Sequence, residues 1–288
     1  MPHHANTKVQ PKHLLLELLL ASGDSPLPVS HAVAAGAVFG ISENHVRVTL
    51  ARLAAQDMVL ATERGAWRLG PAAQSLAQDV ANWRSAEQRL RPWNGQYVAV
   101  HCGALARSDR SATGQRERAL HLLGFAELQR DFWLRPDNIE QDIAAIRERL
   151  RALGLEPQAV VCGCTSLDAA TEAAVDVLWD GSALNLGYRA TQQRLKDWLA
   201  GAARLPTAQA ARESFFLGGA AIRQLVYDPL LPEPMVDGAL RAAFIASVHA
   251  FDDAGRTIWN RFYSALPAPS TANSKARLIP SPLLETLP

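Results

Sequence analysis

The side chains best suited to recognise another molecule lie in the stretch ISENHVRVTLARLAAQDMVL, residues 41–60. At about 100° per residue, a helix through this stretch places polar residues opposite an apolar stripe. Polar groups can read base edges, a small apolar group can contact the thymine methyl, and arginine can bind guanine or phosphate. We therefore expect this polar side to bind duplex DNA through Ser42, Asn44, His45, Arg47, Val48 and Arg52.

A predicted hairpin follows at once and contributes two further arginines. The stretch MVLATERGAWRLG, residues 58–70, has two short β-prone runs around the turn signal ERG. Arg64 and Arg68 would touch the DNA backbone beside the groove, although Glu63 interrupts the basic character of this hairpin. The plain alternative is an amphipathic surface helix whose arginines are solvated, and the pattern of one helix leaves it open.

Three helices and the hairpin, residues 12–70, form the predicted unit that positions these side chains. PKHLLLELLLASG gives the first helix, and a second helix begins near Pro28 or Ser30 and ends at Gly40. Ser42 then caps the third helix, whose apolar stripe packs on the first two helices. That stripe consists of Val46, Leu50 and Leu53. This order of elements is typical of a winged helix-turn-helix DNA-binding domain.

The next part of the chain predicts a connecting helix at 71–92 and an α/β domain at 93–167. GQYVAVHC, AELQRDFWLRP and EPQAVVCGCTS each predict one strand, and TGQRERALHLLGF predicts a helix after the first of them. DNIEQDIAAIRERLRALG predicts a second helix, which Asp137 can cap. The order β-α-β-α-β indicates a ferredoxin-like sheet with its helices on one face.

Residues 168–266 have helical patterning throughout and form the predicted effector and dimerisation domain. The proline-rich stretch DPLLPEPMVDG interrupts these helices as a stiff connector. Residues 1–11 and 267–288 are expected to be a disordered N-terminus and a disordered tail. The predicted fold class is therefore α+β, with an N-terminal winged helix-turn-helix, a middle ferredoxin-like α/β domain and a C-terminal helical domain.

The overall composition limits the possible classes of protein. The chain has 288 residues, is 48% hydrophobic and carries a formal net charge of +1, so it can form packed cores but is not coated in basic residues. A local basic patch for DNA remains possible, since only the field near the phosphates matters. Three cysteines form no disulfide framework, and neither a secretion signal nor a membrane-spanning run is present, so we expect a cytoplasmic protein that contacts no membrane.

Several stretches together resemble the phenylacetic acid catabolism repressor (PaaX) family over roughly residues 12 to 263. They are FGISENHVRVTLARLAAQDMVL, RPWNGQYVAV, LLGFAELQRDFWLRPDN and RQLVYDPLLPEPMV. The resemblance implies a homodimeric bacterial transcriptional repressor of a phenylacetate-type pathway, which releases its operator when an aryl-CoA thioester binds. It also implies that the middle domain is similar to a small ferredoxin-like CRISPR-associated nuclease fold.

A metal-dependent nuclease on the middle domain is therefore an alternative, as is a winged-helix scaffold that binds only protein. The nuclease fold needs an acidic metal ligand at the end of its first strand, where this chain has His101 and Cys102, and Asp109 comes too late. Cys162 and Cys164 fit small side chains in a sheet better than a metal cluster. We expect no catalytic residues, no metal and no cofactor, and hence not an enzyme.

An acyl-CoA or other aromatic effector needs cationic groups for phosphate and an apolar slot for the acyl group. Arg223 and Tyr227 are candidates, because they share a helical face at i, i+4 directly before the proline-rich connector. The aromatic residues Trp198, Phe215, Phe216 and Phe244 fit this slot or an ordinary helical core. The stretch EPMVDGALRAAF departs from the family pattern, so the acyl group stays open.

Overall fold

The computed structural model describes residues 9–23, 25–62, 65–73, 82–140 and 142–267. Within them the fold is mixed α+β, with two antiparallel sheets and a helical C-terminal part. Its regular elements are α1 (Pro11–Ser22), β1 (Leu27–Pro28), α2 (Val29–Val38), α3 (Glu43–Ala54), β2 (Val59–Ala61), β3 (Ala66–Leu69), β4 (Tyr97–His101), α4 (Arg110–Leu122), β5 (Ala126–Gln129), β6 (Phe132–Pro136), α5 (Ile143–Ala152), β7 (Val160–Cys164), α6 (Ala169–Val175), α7 (Gly181–Ala202), α8 (Thr207–Val226) and α9 (Gly238–Ser264).

The first part consists of α1, α2 and α3 followed by a hairpin of β2 and β3, which is the order of elements that the sequence predicts. The short strand β1 joins the hairpin, giving the sheet order β1-β3-β2. Leucines of α1 and the apolar stripe of α3 share one core with Leu27 and Val59. The chain just after β3 closely approaches the loop between α3 and β2 at Gly70, where a Cβ atom would collide with the carbonyl oxygen of Asp57.

The segment predicted as a connecting helix contains 3₁₀ turns instead in the part that the structure describes. They span Pro71–Ala73 and Asn82–Arg89, and residues between 74 and 81 lie outside the described ranges. Trp83 is buried in the main core and stacks obliquely on His249 of α9 at 5.0 Å between ring centroids. This segment therefore packs on the C-terminal helices rather than standing alone.

The middle part forms a four-stranded antiparallel sheet of order β5-β6-β4-β7, with the connectivity β-α-β-β-α-β. The stretch AELQRDFWLRP was predicted as one strand, but it forms the two strands β5 and β6. Asp131 makes the turn between them with φ +62°, a conformation more often found at glycine. The helix predicted from Asp137 begins later, because Asp142 caps α5 by accepting from the N–H of Ala145 at 2.8 Å. Asp137 is buried and forms an ion pair with Arg91.

Helices cover both faces of this sheet. Leu120 of α4 and Ile146 of α5 pack with Val98 and Val100 of β4 on one face, as predicted. On the other face Ala99 and Leu134 pack with Val175 of α6, which the sequence did not indicate. The sheet is thereby tied to the helical part of the chain.

The C-terminal part contains the long helices α7, α8 and α9, and α9 packs along both of the others. Residues 228–237, here called the proline connector, lie between this bundle and the middle sheet. The buried Asn138 donates to the carbonyl of Leu230 at 2.7 Å, and the buried Arg241 of α9 donates to the carbonyl of Leu231. Gly124 has φ +74°, and a Cβ there would lie 2.5 Å from the carbonyl oxygen of Pro229. The connector therefore packs tightly on both parts.

Candidate nucleic-acid interface

Helix α3 begins as the sequence predicts, with Ser42 as its N-cap. The Ser42 hydroxyl accepts from the backbone N–H of His45 at 3.4 Å, which satisfies one of the free donors at the helix start. Val46, Leu50 and Leu53 are almost fully buried in the core formed with α1 and α2. Burying an aliphatic side chain of this size contributes about 1.5–3 kcal/mol, so the stripe fixes which side of α3 faces outward.

The opposite side of α3 is exposed, and the candidate DNA-binding residues lie on it. Val48 is an exposed aliphatic residue at 38% relative accessibility, in a position where a thymine methyl could meet it. The residues that share this exposure are Ser42, Asn44, His45, Arg47, Val48 and Arg52. The structure thus brings the whole predicted set on α3 to one accessible surface.

An acidic neighbour on the same helix changes the electrostatics of this surface. Arg47 donates to the carboxylate of Glu43 at 2.8 Å, and both side chains are 58% exposed. An exposed i, i+4 pair of this kind stabilises the helix by only about 0.3–0.5 kcal/mol, so Arg47 can exchange it for a phosphate. Glu43 was missing from the predicted site, although its spacing of four residues from Arg47 is visible in the sequence.

Only part of the predicted hairpin contribution lies within the described residues. Arg68 is exposed on β3, opposite Leu60 of β2. Arg64 and Glu63 lie outside the described residues, so the structure gives no position for either side chain. Within the described part of the hairpin, Arg68 is an exposed basic side chain that a DNA backbone could reach.

The cysteine and aspartate that follow β4, Cys102 and Asp109, were weighed as possible metal ligands, and the structure shows their surroundings. Cys102 is buried, and its burial raises the pKa of the thiol to about 11, so the thiolate that binds metals is disfavoured. Asp109 caps α4 by accepting from the N–H groups of Ser111 and Ala112 at 2.8 and 3.0 Å. Across the described ranges, no three His, Cys, Asp or Glu side chains converge in a way that could hold a metal ion.

The two effector candidates lie on the surface of α8. Arg223 is exposed in the last turn, and its charge lies near Glu17 of α1. Burial raises the pKa of Glu17, and the charges of His13 and Arg223 counteract this. Tyr227 ends α8 and is 52% exposed.

The aromatic residues considered for an acyl slot have structural partners. Phe244 is fully buried and stacks on Tyr188 at 5.3 Å between ring centroids. Trp198 packs against Phe251 at 5.2 Å, and its indole N–H donates to Glu213 at 2.7 Å. Phe215 and Phe216 face α2, at the end that carries Phe39. These contacts fit the helical-core interpretation of the aromatic pattern.

Comparison with known proteins agrees with the resemblance found in the sequence. A family model described as PaaX-like protein C-terminal domain matches residues 179–261, which include α7, α8 and most of α9. The resemblance to PaaX-like proteins is thereby confirmed over the C-terminal helices, residues 179–261, and this similarity suggests a transcriptional regulator.

Two other comparisons complete this result. The solved structure of the uncharacterized protein Rv0674 from Mycobacterium tuberculosis is similar with a TM-score of 0.61 and 21% sequence identity. The match covers 88% of this chain and 99% of that chain, so the two share a fold over most of their length. No curated protein matches the chain. Among the described helices, none combines the length and the apolar character that crossing a membrane requires.

Proposed function

We propose that this protein is a DNA-binding transcriptional repressor of an aromatic-acid catabolic pathway of the phenylacetate type. In this proposal residues 12–70 are a winged helix-turn-helix domain, 71–92 connect it to the rest, 93–167 are a ferredoxin-like domain, and 168–266 are the effector and dimerisation domain. The order α1-α2-α3 followed by the β2–β3 hairpin supports the first assignment. The strand order β5-β6-β4-β7 with β-α-β-β-α-β connectivity supports the ferredoxin-like assignment.

The observation that carries the proposal is the two-sided character of α3. One side is fixed in the core, and the other presents a polar surface with two arginines and a small apolar residue. In this arrangement Arg47 and Arg52 supply affinity through phosphate or guanine. Asn44, His45 and Val48 supply sequence preference, and Arg68 contacts the backbone beside the groove.

The repressor acts as a homodimer whose two α3 helices enter successive major grooves. Such half-sites lie about 34–36 Å apart, or a multiple of this distance, because one helical turn separates equivalent groove positions. The operator is therefore nearly palindromic. Binding of an aryl-CoA thioester to the C-terminal helical domain, with Arg223 and Tyr227 as candidate contacts, favours a dimer geometry that no longer fits this spacing.

A gel-shift experiment tests the proposal directly. The probe is the DNA upstream of the protein's own locus, titrated with and without a panel of aryl-CoA thioesters. We expect a specific shift that one thioester reverses, and a weaker shift for Arg47→Ala and Arg52→Ala. Magnesium-dependent cutting of the probe would favour the nuclease alternative, and the absence of a shift under all conditions would favour the protein-binding scaffold.

A further inference from the structure

The N-terminal head, defined as residues 9–23, 25–62 and 65–73, contacts the C-terminal helices directly. Phe39, just after α2, meets Phe215 and Phe216 of α8 at 5.0 and 5.7 Å between ring centroids, in edge-to-face geometry. His31 of α2 stacks on Tyr263 of α9 at 4.3 Å with the two planes only 3° apart. We call these five residues the head–helix joint.

Both rings of the stacked pair are uncharged near neutral pH. Burial lowers the pKa of His31 and raises the pKa of Tyr263, so the imidazole and the phenol keep their neutral forms. Aromatic pairs in stacked or edge-to-face geometry attract each other beyond the effect of their buried area. Trp259 also packs on the core of the head. The joint is therefore an apolar contact that involves several aromatic rings from both parts of the chain.

Polar contacts surround the joint. Arg256 of α9 donates to the carbonyl of Ala21 at the end of α1, with a distance of 3.1 Å. The charge of Arg223 on α8 acts on the carboxylate of Glu17 in α1. Two helices of the head and two of the C-terminal part thus take part in the contact.

Helix α2 connects the joint to the DNA-facing helix. On the side that faces α3, Gly36 allows a close approach, because a Cβ there would lie 2.6 Å from a methyl group of Val46. Val46 belongs to the buried stripe of α3. Helix α2 thus packs closely on α3 and is also part of the joint, so a continuous set of packed side chains links α3 to α8 and α9.

We propose that the head–helix joint sets the orientation of α3 relative to the C-terminal helices, so that the two heads of a dimer match the spacing of two half-sites. This rests on the proposed function as a dimeric DNA-binding protein. In this proposal the docked arrangement is the DNA-competent one, because the joint holds the exposed polar side of α3 in one fixed orientation. A rearrangement of α8 and α9 then releases DNA by misorienting the heads, without covering their DNA-binding surface.

The test weakens the joint from the C-terminal side, so that the core of the head stays intact. The full-length double variant Phe216→Ala with Tyr263→Ala is compared with the wild type on two duplexes, one with both half-sites and one with a single half-site. We expect the affinity for the two-site duplex to fall by about tenfold or more, because the second head no longer engages in a fixed geometry. The affinity for the single half-site should change by less than about twofold.

Two further variants control for other effects. Tyr263→Phe keeps the stacked ring and should bind like the wild type. Leu186→Ala removes an exposed aliphatic side chain of α7, away from the joint, and should also bind like the wild type. The proposed role of the joint would be overturned if the double variant lost the same factor of affinity on both duplexes, so that the ratio of the two affinities equalled that of the wild type.

A distance measurement without DNA separates failure of this inference from failure of the proposed function. Spin labels at cysteines replacing Ala51 on α3 and Ala190 on α7, both exposed, report the orientation of the head. The exposed Cys162 and the half-buried Cys164 are replaced by serine in this background. The labelled protein is mixed with an excess of unlabelled protein, so that distances within one protomer dominate. We then expect one narrow distance distribution in the wild type and a broad one in the double variant. Equally narrow distributions in both would refute the joint, whereas a wild type that binds no duplex would refute the proposed function alone.

Discussion

Arg52→Ala provides a quantitative test of the DNA-facing surface. Arg52 lies in the last turn of α3, on the exposed side, and Arg47 lies on the same side with Glu43 as its partner. Since the residue is exposed, its removal should change the free energy of unfolding by no more than about 0.5 kcal/mol. Any larger effect on DNA binding therefore reports a lost contact rather than a loss of folded protein.

The magnitude follows from the release of counterions. Each phosphate contact contributes about 0.9 to the slope of log affinity against log salt, so the loss of two Arg52 contacts in a dimer reduces the slope by about 1.8. When the salt concentration rises about fourfold, the affinities of both proteins for DNA fall. The factor by which the wild-type affinity falls should be about twelve times the factor for the variant. At the lowest salt concentration the variant should bind more weakly than the wild type.

Fluorescence anisotropy with one labelled operator duplex measures both slopes. Arg194→Ala is the matched control, because it removes an exposed arginine from α7, outside the proposed interface. The reasoning is refuted if the Arg52→Ala slope equals that of the wild type, or if Arg194→Ala reduces the slope by the same amount.

Three other changes probe the interface and the packing beneath it. Glu43→Gln removes the carboxylate that holds Arg47, so the same anisotropy assay should show tighter binding by a few-fold, and weaker binding would contradict this reasoning. Burial raises the pKa of Asp228 in the folded protein, so the wild type loses stability as the pH rises above the ordinary aspartate pKa of about 4. The melting temperature of Asp228→Asn should therefore fall less than that of the wild type over the same rise in pH. Gly124→Ala places a Cβ atom 2.5 Å from a carbonyl oxygen of the proline connector, at a residue with a φ of +74°. In denaturant titrations this variant should lose about 2 kcal/mol or more of unfolding free energy. Gly114→Ala on α4, where a Cβ would meet no atom within 4 Å, should lose none.

The features of α3 could be predicted from the sequence because they depend on local rules. A serine before a helix caps it, and apolar residues at helical spacing mark the buried side, so Ser42 and the stripe of Val46, Leu50 and Leu53 were correctly placed. The ion pair of Glu43 and Arg47 was predictable by the same rules, since it lies within one turn of one helix.

Other features depend on contacts between distant parts of the chain. The turn at Asp131 divides one predicted strand into two without a glycine or proline to signal it. Asp137 has the residue type of a helix cap, yet the structure uses its carboxylate in a buried ion pair with Arg91. The contact of His31 on α2 with Tyr263 on α9 joins residues that are more than 200 positions apart in the sequence, and no periodicity in the sequence indicates it.

Photo-crosslinking from Val48 tests the central claim most directly. Benzoylphenylalanine replaces Val48 on the exposed side of α3, or Ala190 on the outer side of α7, and each protein is irradiated with an operator duplex that the wild type shifts. The account predicts covalent protein–DNA product from position 48, mapped to bases in the major groove, and none from position 190. A protein that still shifts the duplex but crosslinks only from position 190, or from neither position, would contradict it.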